Sequence, residues 1–276
     1  MPDFSQSYEV VIFAIGDTKA GTKMGKLQLK NLSDNTLLNC ILWEETLNRL
    51  DSKVFRSGNI VKILSGSYNE KYNNCLVSGL ELIEEAKMGL DAEERNKLFE
   101  KIIEYTELIQ EDALKQFVTS LLFEYEEQFK TAPAAKLMHH NYLGGLIEHT
   151  YECLEIAKSL IAQSKKDLNT DYVYAACILH DFGKIFEYKI DTETGLIEYD
   201  DDFQKDWLSH SQWGFSQCMS VGFKTVAKMI AAHHGRIEWG AMVDLDAKDL
   251  DPLLYLLHHI DDLSAKFGKT AIGDLK

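Results

Sequence analysis

Hydrophobic and polar residues alternate through roughly the first 85 positions, and from about residue 90 the apolar positions recur every three or four instead. A period of two marks strands with one face buried, and a period near 3.6 marks amphipathic helices. Alternation picks out five short strands, at 8–15, 26–32, 36–43, 60–64 and 74–78. Turn-forming stretches separate them: Gly16-Asp17, Ala20-Gly21-Thr22, Ser33-Asp34-Asn35, Ser57-Gly58-Asn59 and Gly66-Ser67-Tyr68-Asn69. Between the third and fourth strands, Glu44–Leu50 has a helical composition. Five strands with a helix after the third is the order of elements in an OB-fold barrel. Such barrels hold single nucleic-acid strands on their second and third strands and flanking loops. Lys26, Lys30, Trp43, Tyr68, Lys71 and Tyr72 are therefore candidate contacts. The alternative is that Trp43 is a core residue and the lysines a solvated face.

Beyond residue 90 the spacing predicts helices. Asp91 can cap one whose apolar face carries Leu98, Ile102, Tyr105 and Ile109, and helical spacing continues to Phe129. After Gly144-Gly145, residues 146–161 form a helix with His149 on the apolar arc and Glu152, Glu155 and Lys158 on the polar strip. The run from Tyr172 to Leu179 is apolar on all sides, which marks a buried helix. It ends in His180-Asp181, with Gly183 placed to terminate it. Val226–Ala232 delivers His233-His234 before Gly235, and Asp251-Pro252 starts a helix that puts Leu254, Leu257 and Asp261 on one face. The expected architecture is α+β: a five-stranded OB-fold β-barrel at 1–88, a helical connector at 89–130, and an all-α bundle at 131–276.

Charge sharpens this division. The net charge is -15, yet residues 1–88 hold 10 Lys and Arg against 11 Asp and Glu, leaving 19 against 33 for residues 89–276. A field that negative repels phosphate backbones, so a broad basic track for nucleic acid is excluded. The five cysteines lie far apart with no C-x-x-C pair, which reads as buried thiols in a reducing compartment. No signal peptide and no spanning apolar run is apparent, so a cytoplasmic protein without a membrane partner is expected.

All nine histidines follow residue 138. His149, His180-Asp181, His210, His233-His234 and Asp261 recur at intervals of about one helix plus a loop, so separate helices can bring one ligand each to a common point. A histidine and an aspartate at the end of a buried helix carry a heavy desolvation cost, which a divalent cation commonly offsets. Imidazole and carboxylate without thiolate suits Mn2+, Fe2+, Co2+, Zn2+ or Mg2+ chemistry rather than a structural zinc. For any one of these residues, a histidine satisfied by a backbone carbonyl is the simpler account; four inward-facing placements together are harder to explain that way.

This residue set resembles the HD-domain metal-dependent phosphohydrolases over roughly residues 134–268. Longer stretches are similar to the YhaM-type 3'-to-5' exoribonucleases, which also carry an OB-fold ahead of the HD domain. They are Pro133–Lys136, His139–Thr150, Leu179–Lys184, His233–Gly235 and Leu257–Lys266. The chain departs from that family's tendency at Met138, where a polar residue is usual, and at Ser264, where an acid is usual. The resemblance implies one metal held by His149, His180, Asp181 and Asp261. Asp181 would bridge to a second metal held by His210 and His233, with His234 either completing that site or facing substrate. Two divalent ions are implied, Mn2+ first, with Mg2+, Co2+, Fe2+ or Zn2+ as alternatives. Lys184 would contact a phosphate oxygen, or else cap a helix C-terminus, and Lys266 would lie on substrate. The implied substrate is single-stranded RNA, or DNA, cleaved from its 3' end, with homo-oligomerisation open. The alternative is a hydrolase of free nucleotides or cyclic dinucleotides whose barrel serves oligomerisation.

Overall fold

The structure is a computed structural model describing residues 4–86, 89–136, 140–191, 196–206 and 209–267. Backbone contacts divide the described residues into two compact units, 4–86 with 191 and 196, and 89–190 with those of 197–267.

In the first unit, β1 (Ser7–Asp17), β2 (Lys23–Asn31), β3 (Leu37–Trp43), β4 (Ile60–Asn69) and β5 (Asn74–Glu84) close into a barrel of order β1-β2-β3-β5-β4. β3 and β5 pair in parallel, and β4 returns antiparallel to β1. Helix α1 (Glu44–Arg49) falls between β3 and β4, as the composition predicts. Alternate residues Leu27, Leu29, Leu42, Val61, Ile63 and Cys75 point inward and fill the barrel. The expected turn at Gly66–Asn69 is not one, because β4 runs straight through it and the reversal falls at residues 70–73, where Asn73 is left-handed (φ 47°). The register slips between Ser65 and Gly66, and a Cβ on Gly66 would lie 2.7 Å from the carbonyl oxygen of Leu76. Gly66 thus marks a bulge where two backbones approach closely.

The second unit is helical. α2 (Ala92–Thr106), α3 (Asp112–Glu124), α4 (Glu126–Thr131), α5 (Gly145–Gln163) and α6 (Thr170–Leu179) lead to the short α7 (Lys184–Glu187). A two-stranded hairpin, β6 (Tyr188–Ile190) with β7 (Ile197–Tyr199), interrupts what the sequence suggests is purely helical. α8 (Asp201–Asp206), α9 (His210–Ser220), α10 (Lys224–Ala232) and α11 (Pro252–Phe267) complete the described residues. Asp91 caps α2 in a full capping box with Glu94. The segment expected as a connector contributes Ile102, Ile109, Leu114, Val118 and Leu122 to the same core as Leu146, Val173, Ile230 and Leu257. α6 runs through the middle of that core, with Val173 to Leu179 all buried. Fully burying one such aliphatic side chain contributes about 1.5–3 kcal/mol, so the helix that ends at His180 is among the most firmly held.

Candidate metal centre

Five helices present their polar residues to one place. His149 lies on the inner face of α5, His180 caps α6 with Asp181 directly after it, His210 opens α9, His233 caps α10, and Asp261 sits on α11. Each stands at or near a helix end or on an apolar face, and the four histidines and Asp181 are buried. Gly183 does not terminate α6 through a left-handed turn, since its φ is -59°. A Cβ there would lie 2.7 Å from the carbonyl oxygen of His210, so the glycine lets the start of α9 close on the His180-Asp181 turn. Gly235, by contrast, is left-handed (φ 83°), as expected of a residue ending α10.

Asp181 joins two clusters. On one side, His149 Nε2 lies 3.2 Å from His180 Nε2, 3.5 Å from Asp181 Oδ2 and 3.3 Å from Asp261 Oδ1. On the other, Asp181 Oδ1 lies 3.2 Å from His210 Nε2 and 3.5 Å from His233 Nε2. The potential ligand atoms of His149, His180, Asp181 and Asp261 fall within 4.8 Å of one another, and so do those of Asp181, His210, His233 and His234. Asp181 Oδ1, His210 Nε2 and His233 Nε2 are buried and complete no hydrogen bond, although they face one another. Leaving such atoms unsatisfied is costly, and one cation satisfies all three. The donor set therefore fits a divalent metal.

The outer nitrogen of each imidazole is already engaged. His180 Nδ1 donates to the carbonyl of Cys177 at 2.9 Å and His233 Nδ1 to that of Ile230 at 2.6 Å. His210 Nδ1 meets the Glu187 carboxylate at 2.5 Å, and His149 Nδ1 meets the Ser264 hydroxyl at 2.9 Å. With the proton on Nδ1, all four Nε2 atoms turn a lone pair to the centre, the arrangement that metal-binding histidines require.

Burial by itself would raise the pKa of Asp181, yet Lys184 at 2.5 Å, together with His180, His233 and His210, holds it well below the usual carboxylate range. Asp261 is likewise held low against its burial by the neighbouring imidazoles of His149 and His180. Burial lowers His149 and His210, so both remain neutral ligands at neutral pH. His180 goes the other way: burial opposes its charge, but Asp181 and Asp261 outweigh it and raise its pKa. His234 is pushed down to about 2, first by neighbouring His233 and then by burial, and its Nδ1 has no hydrogen-bond partner. Cys153 Sγ approaches His149 Nε2 at 3.7 Å, but burial drives its pKa well above the ordinary thiol value, which keeps it protonated.

Lys184 opens α7 rather than capping a helix C-terminus; it is buried and paired to Asp181. Lys266 is exposed in the last turn of α11 and pairs with Asp262 at 2.8 Å. On the barrel, Lys26, Lys30 and Trp43 share the outer face of the β2–β3 pair. Trp43 is 49% exposed, so it is not a core residue, while Lys30 is drawn toward Glu9 at 3.6 Å. Tyr68 donates to Asn73 Oδ1, and Lys71 lies over the exposed ring of Tyr72. Met138 and His139 lie outside the described residues. Nothing along the chain singles out Glu187, one acid among 44, which only the fold brings to His210.

Comparison with known proteins agrees with this geometry. Residues 146–266 match the family model described as HD domain, and residues 79–171 match one described as putative helicase. Curated relatives named 3'-5' exoribonuclease YhaM are similar. The Geobacillus sp. (strain WCH70) protein is 28% identical over 247 residues, spanning 82% of this chain and 71% of that protein. The Oceanobacillus iheyensis protein is 28% identical over 221 residues (77% and 64%), and the Bacillus subtilis (strain 168) protein 26% over 181 residues (62% and 54%). The chain thus spans little more than half to about seven-tenths of the length of these relatives. No solved structure matches. Residues 146–266, which hold the whole His–Asp cluster, match the HD-domain model, and the chain that carries them behind a five-stranded barrel is similar over most of its length to the YhaM exoribonucleases.

Proposed function

We propose that this protein is a metal-dependent 3'-to-5' exonuclease that hydrolyses phosphodiester bonds of single-stranded RNA. The observation that carries the reading is the Asp181 carboxylate shared between two imidazole clusters, in a chain similar to proteins named for that activity. His149, His180, Asp181 and Asp261 would hold one cation, and Asp181, His210 and His233 a second; Mn2+ is the proposed metal. His234 completes the second set, because its neutral ring stands with theirs and its buried Nδ1 has no other partner. Bound divalent ions lower the pKa of water toward neutrality and offset charge on a phosphoryl group.

The chain's own residues do the rest. Asp181 and Asp261 remain ionised, and the imidazoles remain oriented by their Nδ1 partners. Lys184 offsets the charge of Asp181 and is the residue proposed to meet a phosphate oxygen as substrate enters. Trp43 offers a stacking surface on the barrel, with Lys26 and Lys30 beside it for the backbone. DNA is a second polymer to test. Five free, buried cysteines fit a reducing compartment, and the cytoplasm is the proposed location.

The test is a cleavage ladder. Purified protein is incubated with Mn2+ and single-stranded RNA labelled at its 5' end, with Asp181→Ala as the control for contaminating nuclease. Products that shorten progressively from the 3' end, absent with the variant, support the reading. RNA left intact by the wild-type chain in Mn2+, Mg2+ and Co2+ would refute it.

A further inference from the structure

Three of the four inward-facing histidines have an acceptor at Nδ1 whose identity fixes the tautomer: two backbone carbonyls and the Glu187 carboxylate can only accept. His149 is different. Its Nδ1 meets the hydroxyl of Ser264, which can donate or accept, so the pair alone leaves the proton undecided. The next bond decides it. Ser264 Oγ also lies 2.7 Å from Glu152 Oε2, and an ionised carboxylate only accepts. The one hydroxyl proton therefore goes to Glu152, Ser264 Oγ accepts from His149 Nδ1–H, and Nε2 is left bare toward Asp181 and Asp261.

Glu152 is itself held in place. Its Oε2 lies 3.2 Å from Nε2 of His140, which is fully buried. His140 sits in a left-handed turn (φ 52°) whose carbonyl accepts from Ala134, and α5 begins hard against it at Gly145, where a Cβ would fall 1.9 Å from the His140 oxygen. The other side of Glu152 opens on a groove beside Tyr151, Leu263 and Phe267, and its side chain is one-third exposed. An acid on the outer strip of α5 thus reaches the cluster through one hydroxyl.

We propose that Glu152 and Ser264 are positioning residues that set the tautomer of His149 and so the cation affinity of the His149–His180–Asp181–Asp261 cluster. This rests on the reading of that cluster as a metal site. In Glu152→Gln the amide can donate to Ser264, which then turns its own proton to Nδ1; His149 takes the Nε2–H form and loses its lone pair to the metal. Ser264→Ala leaves Nδ1 without its acceptor. The two residues act in series, so once Ser264 is gone the Glu152 change has no route to His149.

Calorimetric titration of the full chain with Mn2+ tests this, the binding step that involves His149 being identified by its loss in His149→Ala. In Glu152→Gln and in Ser264→Ala that step weakens by about tenfold or more, the usual effect of removing a metal ligand's hydrogen-bond partner. The double variant binds no more weakly than the weaker single one, and Ser264→Thr, which keeps the hydroxyl, binds like wild type. Because Glu152 borders an open groove, the melting temperature of metal-free Glu152→Gln stays near that of wild type. Wild-type affinity in Glu152→Gln, or losses that add in the double variant, overturns the proposal. A wild-type chain that takes up no Mn2+ overturns the metal reading itself, and the proposal with it.

Discussion

The Asp181–Lys184 pair offers the sharpest test of how the centre is held together before metal arrives. Lys184 Nζ lies 2.5 Å from Asp181 Oδ2, with side chains 9% and 2% exposed. Removing one partner of a buried ion pair strands the other charge and costs about 3–5 kcal/mol, whereas removing both is close to neutral. In metal-free protein, Asp181→Asn strands Lys184, although Glu187 remains close enough to feel its charge. Lys184→Met strands Asp181 among His149, His180, His210 and His233, and His180, whose pKa is raised against its burial by Asp181 and Asp261, can take up a proton and soften the loss. The lower end, about 3 kcal/mol, is therefore expected for Lys184→Met. For a unit of this size that corresponds to a fall in Tm of about 6–12 °C. Scanning calorimetry in chelator would read both single variants and the double variant, whose Tm should lie above that of either single. Repeating the scans with excess Mn2+ separates the roles: the cation replaces the lost positive charge and rescues Lys184→Met, but Asp181→Asn, which has lost the shared carboxylate, gains far less. The reasoning is wrong if Lys184→Met melts with wild type in chelator, or if the double variant loses the sum of the single effects.

Three further outcomes are expected. Glu187→Gln weakens the orientation of His210, whose Nδ1 and backbone N–H both point to that carboxylate; cation affinity at the Asp181–His210–His233 set should fall about 10–100-fold, read by Mn2+ titration, and an unchanged affinity would show the contact to be incidental. Metal binding should weaken as pH falls and should release protons near neutral pH, because the raised pKa of His180 lets a proton compete for its Nε2. In the metal-free protein the sign is the opposite: His180 adds stability below its unfolded value of 6.5, lost as pH rises through the higher folded value. Melting temperatures across that interval, with and without Mn2+, check both signs. Trp43→Ala should cost about 1–3 kcal/mol in binding single-stranded RNA while leaving Tm nearly unchanged, since the ring is exposed; fluorescence anisotropy with labelled RNA measures it, and undiminished binding removes Trp43 from the interface.

Much of this protein is determined by local sequence alone. Alternation along 8–15, 26–32 and 36–43 specifies strands because a pleated chain exposes every second residue, and five strands with α1 after the third give the element order of an OB-fold barrel. The metal-type residues are equally legible: His149, His180, His210, His233 and Asp261 stand at helix ends or on apolar faces, where burial without a partner is too costly to be accidental. Tertiary structure decides what supports them. Glu152 reads as one more acid on a solvated strip, Ser264 as a departure from a family pattern, and Glu187 as nothing at all, yet each reaches an imidazole. Gly66 and Gly183 read as turn and cap, whereas the structure uses the missing side chain for close approach to Leu76 and His210. Periodicity and capping are set by neighbours a few residues away and so survive in the sequence. Ser264 reaches His149 across 115 positions and Glu187 reaches His210 across 23, and such contacts exist only after the helices have packed.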